Sequence, residues 1–178
     1  MLKLKQTMKT TNFGTRIMVA DCGGLITPLP GQTYYIELLK AIKEAKGRID
    51  IMQYQWNFYI GQPNNPVQIL NQTLITKLRN GLKCRIILNR EGRGQHLTAI
   101  NMRAYRYLTE AGAVIKMGRI SPITHAKLWL IDDGISILGS HNLSSRAFTV
   151  NNEVSVSIKS RPVAMEYRRY FEAIWQTI

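Results

Sequence analysis

His125-Ala126-Lys127-Leu128-Trp129-Leu130-Ile131-Asp132, then Asp133-Gly134, then Ile135-Ser136-Ile137-Leu138-Gly139-Ser140-His141-Asn142, carries two messages in one run. As a fold signal, His125 to Ile131 alternates with the period of a strand and Ile135 to Leu138 is a short apolar run. The Asp133-Gly134 pair between them is the signature of a tight hairpin turn. As a chemical signal, its polar positions read H-x-K-x4-D-x6-G-S-x-N, and that string occurs once in the chain. Alternation puts His125 and Lys127 on one face of the same strand.

Working outward from the hairpin, Glu153 to Ile158 alternates again and reads as a further strand. A closing helix begins after Ser160, with Pro162 in its first turn and Val163, Tyr167, Tyr170, Phe171, Ile174 and Trp175 on one face. Upstream, helical spacing over Thr33–Lys46 ends at Gly47, and residues 49–54 form a strand. Residues 57–66 are a loop rich in Asn, Gly and Pro, and residues 67–79 a helix with Gly81 as its cap. Lys83–Asn89 is a strand, residues 90–96 a loop, 97–111 a helix and 113–117 a short strand. Further back, Gly23–Gly31 with Pro28 and Pro30 reads as a turn, and Arg16–Ala20 as a strand. Strands and helices alternate for two-thirds of the chain before the hairpin and the closing helix. This pattern predicts one α/β domain over residues 16–178, a mixed β-sheet sandwiched between helices, behind a basic tail over residues 1–15.

The polar string holds what a phosphodiester reaction needs. His125 can attack phosphorus as a neutral imidazole, giving a phosphohistidine. Lys127 and the Asn142 amide can hold the phosphoryl oxygens, with Ser140 and the Gly139 backbone as further donors. Gly139 is expected to let the backbone approach the site. A carboxylate on the other imidazole nitrogen would fix its tautomer, and Glu153 is the candidate. Asp132 completes the string and counts with the catalytic set, although the end of the strand equally suits a residue that holds the hairpin. His141, in the variable slot, and His96 are read as neighbours. Arg90 and Arg93, in a Gly-rich loop, are candidate phosphate contacts. Tyr54 and Trp56 end a strand near the site edge; core packing is the favoured reading for both, base stacking the alternative.

These residues resemble the phospholipase D superfamily and its H-x-K-x4-D signature with a trailing G-S-x-N. Glu153 sits where that family commonly has the acidic partner of the histidine. Leu38–Lys46 leading to Ile49–Met52, and Gly81–Leu88, look like its first two helix–strand and strand units. The resemblance implies a metal-independent phosphodiesterase, with no cofactor, working through a covalent phosphohistidine. That mechanism needs a second histidine to protonate the leaving oxygen. A single string therefore implies a homodimer whose two-fold axis passes through the site, as in the small bacterial Nuc-type endonucleases of the superfamily.

Composition selects among substrates. The 178 residues carry 24 Lys plus Arg against 11 Asp plus Glu, a net +13. Such a surplus is self-repelling and suits a polyanionic partner. Nucleic acid, DNA or RNA, is the first expectation and low sequence specificity follows from the absence of a reader motif. Phosphatidyl or cardiolipin hydrolysis is the alternative, disfavoured because the 58–66 loop is polar apart from Ile60 and no apolar loop is evident beside the site. A non-catalytic nucleic-acid-binding scaffold is the third reading. Cys22 and Cys84 stand far apart, in neither a disulfide framework nor a metal spacing. No apolar run reaches the roughly 18 residues of a membrane span, and Lys3, Lys5 and Lys9 precede no signal-like apolar segment. The expected location is the cytoplasm, without stable membrane association.

Overall fold

The computed structural model describes residues 24–92 and 95–178. In chain order the elements are β1 (Leu25–Pro30), α1 (Thr33–Glu44), β2 (Arg48–Gln53), α2 (Pro66–Arg79), β3 (Lys83–Leu88), α3 (His96–Glu110), β4 (Val114–Met117), β5 (Lys127–Ile131), β6 (Ile135–Gly139), α4 (Ser145–Thr149), β7 (Val154–Lys159) and α5 (Arg161–Trp175). The strands make one mixed sheet in the order β1-β7-β6-β5-β2-β3-β4. Strands β2, β3 and β4 run parallel, and every other neighbour is antiparallel. The mixed α/β sandwich expected from the sequence is thus the observed fold.

Period-two alternation explains its layers. Ile49 and Ile51 of β2, Ile86 of β3, Trp129 and Ile131 of β5 point one way, into a large core with α1, α2, α3 and α4. Met52, Ile87, Leu128 and Leu130 point the other way, onto Phe171 and Trp175 of α5. Helix α2 starts where its chemistry allows: Asn65 accepts the Val67 N–H, and Pro66 needs no partner for the N–H it lacks. It stops at Gly81, whose φ of 91° suits a residue without a side chain.

Asp50 sits on the α5 side of β2 with 1 % exposure. It accepts from Arg85 at 2.8 and 3.0 Å and from Arg168 of α5. Arg85 also reaches Glu172 at 3.1 Å and lies over the Phe171 ring. This ionic clamp holds α5 against the sheet; breaking such a buried pair typically costs about 3–5 kcal/mol.

Three expectations need correction. Gly23–Gly31 is no turn over most of its length: β1 occupies Leu25–Pro30, paired with β7. Its prolines are tolerated because β1 is the edge strand among the described residues, where a missing N–H deprives no described neighbour. The five-residue α4, opened by Ser144 accepting the Ala147 N–H, is absent from the sequence reading. His125 lies just before β5, whose ladder starts at Lys127. The strand expected over Arg16–Ala20, the tail over 1–15, Cys22 and Arg93 lie outside the described residues.

Candidate active site

Registers bring the carboxyl ends of β2, β3 and β6 and the amino end of β5 to the same end of the sheet. Ligands of α/β sheets favour such ends. Backbone ties fix the two loops there. Leu143 donates to the Gln55 carbonyl at 3.0 Å and Asn57 to the Leu143 carbonyl at 2.9 Å, so the chain after β6 runs beside the chain after β2. Asn101 of α3 steadies the second loop, donating to the Tyr54 and Asn89 carbonyls and accepting from the Trp56 N–H.

A cavity of about 880 Å³ opens at this point. His125, Lys127, Gly139, Ser140 and Asn142 line its polar side. The Lys127 ammonium lies 3.2 Å from His125 Nε2 and donates to the His125 carbonyl at 2.8 Å. An ammonium cannot accept, so the imidazole nitrogen facing it carries a lone pair. Partial burial and then the Lys127 charge hold the His125 pKa below its ordinary value, which favours the neutral ring. Burial also lowers Lys127, and the charge of Glu153 offsets part of that shift. Asn142 Oδ1 is buried with no hydrogen-bond partner among the described residues. Such a group costs about 1–3 kcal/mol, and only a hydrogen-bond donor can relieve it.

The other site candidates fall in different places. Ser140 donates to Glu153 Oε2 and accepts the Val154 N–H at 3.1 Å. Glu153 also accepts from Asn151 at 3.1 Å, so among the described residues its hydrogen bonds go to Ser140 and Asn151, and it acts on Lys127 through charge. Asp132 is at the far end of β5, about 16 Å along the strand from its start. Its carboxylate accepts N–H groups of Lys46, Gly47 and Arg48 at 2.8–3.0 Å. Arg90 is exposed just past β3, at the site's end of the sheet, and does not line the cavity. Gly139 lines the cavity, yet what its missing side chain admits is β7: a Cβ there would collide with Ser155 and the Val154 carbonyl.

Tyr54 proves closer to the chemistry than its sequence reading. Its ring stands edge-on to His125 at 4.5 Å and beneath the Lys127 ammonium at 4.8 Å. Trp56 is in the core, donating to Asn71 at 2.8 Å. His141 is fully buried, stacked on Tyr34 at 4.2 Å and bonded to Ser155 and the Gly31 carbonyl. The cavity's opposite wall is unforeseen: Leu128, Leu138, Val154, Tyr167 and Tyr170 make it largely apolar. The polar 58–66 loop gave no hint of this, because the wall is assembled from strands and α5. Among the described residues no group of three His, Cys, Asp or Glu is placed to hold a metal ion, and no helix is long and apolar enough to cross a membrane.

Comparison with known proteins follows the same lines. The family described as "Cardiolipin synthase, PLD-like domain" matches residues 38–175. Minor cardiolipin synthase ClsB of Bacillus subtilis is 30 % identical over 72 % of the chain and 30 % of its own length. The 5'-3' exonuclease PLD3 of Xenopus laevis is 24 % identical over 89 % of the chain and 32 % of its own. The chain thus spans about a third of the length of these curated relatives. Among solved structures, Nuc of Salmonella typhimurium, a phospholipase D family member, superposes with a TM-score of 0.71 at 21 % identity. That match covers 86 % of this chain and 95 % of Nuc.

Proposed function

The chain belongs to the phospholipase D superfamily, and on that premise we propose that it is a metal-independent endonuclease of low sequence specificity, acting on DNA or RNA at a site shared by two copies. The observation that carries the reading is His125 Nε2 beside the Lys127 ammonium, with Asn142 lining the same cavity, in a chain of net charge +13. His125 Nε2 attacks phosphorus, a P–N bond forms and the P–O bond to the leaving oxygen breaks. Lys127 turns from the ring to the non-bridging oxygens, joined by the Asn142 amide. Water, losing its proton to a second imidazole, then displaces His125 and completes the hydrolysis.

The leaving oxygen needs that second imidazole as its proton donor. The chain has three histidines. His141 is sealed in the core and His96 opens α3 away from the cavity. A second copy of His125, brought in by a two-fold axis, supplies it. The apolar wall of Leu128, Leu138, Val154, Tyr167 and Tyr170 is then the surface that the partner covers.

That wall also favours a second reading, in which acyl chains lie along it and the substrate is a phospholipid, in keeping with the cardiolipin synthases among the relatives. The exonuclease among them supports the first. Incubation in EDTA with plasmid, single-stranded DNA, RNA and cardiolipin vesicles, beside His125→Ala, separates the two. Nucleic-acid cleavage that survives EDTA and is lost in the variant is expected. Lipid turnover alone overturns the nuclease reading, and a rate restored only by a divalent ion overturns the metal-free mechanism. A mass measurement in solution is expected to give a dimer, and an active monomer would contradict the shared site.

A further inference from the structure

Helix α5 separates two recesses. Glu166, Tyr167 and Tyr170 face the catalytic cavity, whereas Arg161, Met165, Arg168, Arg169 and Glu172 face a recess of about 380 Å³ on the helix's other flank, closed by Arg48 and Asp133. We infer that this second recess binds a backbone phosphate of the same nucleic-acid strand whose scissile bond lies at His125. The inference rests on the nuclease reading above.

Four guanidiniums meet there against two carboxylates, and both carboxylates are already engaged. Asp133 accepts from Arg48 at 2.7 Å and Glu172 from Arg85. Each guanidinium offers five N–H donors. The hydrogen bonds of Arg48 and Arg169 to side chains use one donor each, on Asp133 and Glu166. The Arg161 guanidinium has no hydrogen bond or ion pair among the described residues. Arg168 is the deepest of the four, its side chain 9 % exposed, and its Nε–H has no acceptor among the described residues. A buried, charged donor left open in a recess full of unused donors calls for an anion with several oxygens. Arg161 is also the first residue of the fifteen-residue α5, whose amino end carries partial positive charge.

The cations are arginines throughout, the residue type that grips a tetrahedral oxyanion in a fork rather than by diffuse attraction. Met165 is the one large apolar side chain in the lining, whereas a lipid-surface site would bury several beside its basic groups. Spacing also fits a strand. Arg48 and Asp133 of this recess lie at the turn end of the β5–β6 hairpin, about 16 Å along β5 from the start beside His125. A strand carries one phosphate per about 3.4 Å of helix axis, so the two sites stand roughly five phosphates apart.

The test compares Arg161→Gln/Arg169→Gln with its parent, both carrying His125→Ala so that substrate persists. Both mutated side chains are surface groups outside the Asp50 clamp, and thermal melts confirm folding. Binding of a 20-nucleotide single strand, followed by fluorescence anisotropy, is expected to weaken by about three- to tenfold. Its salt slope is expected to fall by about 0.7 for the lost phosphate contact. A dinucleotide, too short to cross α5, is expected to show no such difference. Equal affinity and equal salt slope on the long strand, with the parent binding it, overturn the second site and leave the nuclease reading standing. A parent that binds neither oligonucleotide removes both. Loss confined to phosphatidylglycerol vesicles overturns the inference in favour of a lipid headgroup.

Discussion

The two ends of the β5–β6 hairpin are built from one continuous motif and are opposite in character. At the turn end both aspartates of the motif are bonded. Asp132, at φ 48°, gathers three backbone N–H groups, its carbonyl accepts from Arg168, and Asp133 pairs with Arg48. At the open end His125 is exposed, Asn142 Oδ1 has no partner among the described residues, and Lys127 rests on a histidine that a phosphate would displace it from. The difference teaches that the string is two devices joined by a strand. Satisfied polar groups hold a fold together, and unsatisfied ones are available to a ligand.

The comparison breaks most easily at the open end. His125→Ala is expected to lower turnover by at least about 10⁴-fold, since it removes the nucleophile of the proposed mechanism. Lys127→Met is expected to cost about 10²–10³-fold, the range for one group that stabilises developing charge. Both variants are expected to melt within a few degrees of the parent. Initial rates and thermal melts on the same preparations check this. A comparable rate loss in Asp132→Asn, at unchanged stability, would erase the distinction between the two ends.

Sequence patterning made the sheet's centre and the open end legible. Alternation in His125–Ile131, the Asp133-Gly134 turn and the helical spacing over Thr33–Lys46 and 67–79 are local signals that tertiary packing had no reason to override. Less legible was whatever depends on elements distant in the chain. The prolines of β1 masked a strand because its ladder partner among the described residues, β7, lies some 130 residues on. Asp50 had no reading of its own in the sequence, since its partners Arg85 and Arg168 come from β3 and α5. Tyr54 acquired its place beside His125 only when β2 and β5 paired. The apolar wall has no sequence signature, for its residues belong to four elements, each amphipathic for its own reasons. Glu153 illustrates the same limit from the other side: its position matched a family expectation, while its hydrogen bonds among the described residues go to Ser140 and Asn151.

At the turn end the expected effect is on stability. Asp132→Ala removes the acceptor of three N–H groups and puts a Cβ-bearing residue without a local hydrogen bond at positive φ. A loss of about 1–3 kcal/mol follows, with kcat within a few-fold of the parent below the melting range. Asp132→Asn is expected to lose less, because asparagine tolerates that φ and keeps one acceptor oxygen. Burial raises the Asp132 pKa, but the N–H groups of Gly47, Lys46 and Arg48 together outweigh it, so the folded value lies below the ordinary one. The stability it provides is therefore present above about pH 4 and is lost as pH falls through the folded pKa. Urea unfolding at pH 3 and pH 7 should show a smaller gap between parent and Asp132→Ala at the lower pH. An equal gap would mean that the carboxylate's charge is immaterial to the turn.

His141 sharpens the comparison, because it is a fully satisfied group inside the open end. The Gly31 carbonyl at 3.1 Å can only accept, so Nε2 carries the proton and Nδ1 accepts from the Ser155 hydroxyl at 2.8 Å. This neutral ring ties the Ser140–Asn142 loop to β7 and to the chain between β1 and α1. Burial lowers its pKa, partly offset by the charge of Glu153 and by the Gly31 carbonyl. The unfolded chain, with a histidine pKa near about 6.5, then binds more protons than the folded one just below that pH. Stability accordingly rises with pH through the window below about 6.5 and levels off above it. The expected observation is a melting temperature that falls from pH 7 to pH 5 in the parent and falls less steeply in His141→Gln, on a lower baseline. Parallel curves would show that the ring's neutrality contributes nothing to holding the loop. The turn end would then remain the part of the hairpin whose polar groups demonstrably stabilise the fold.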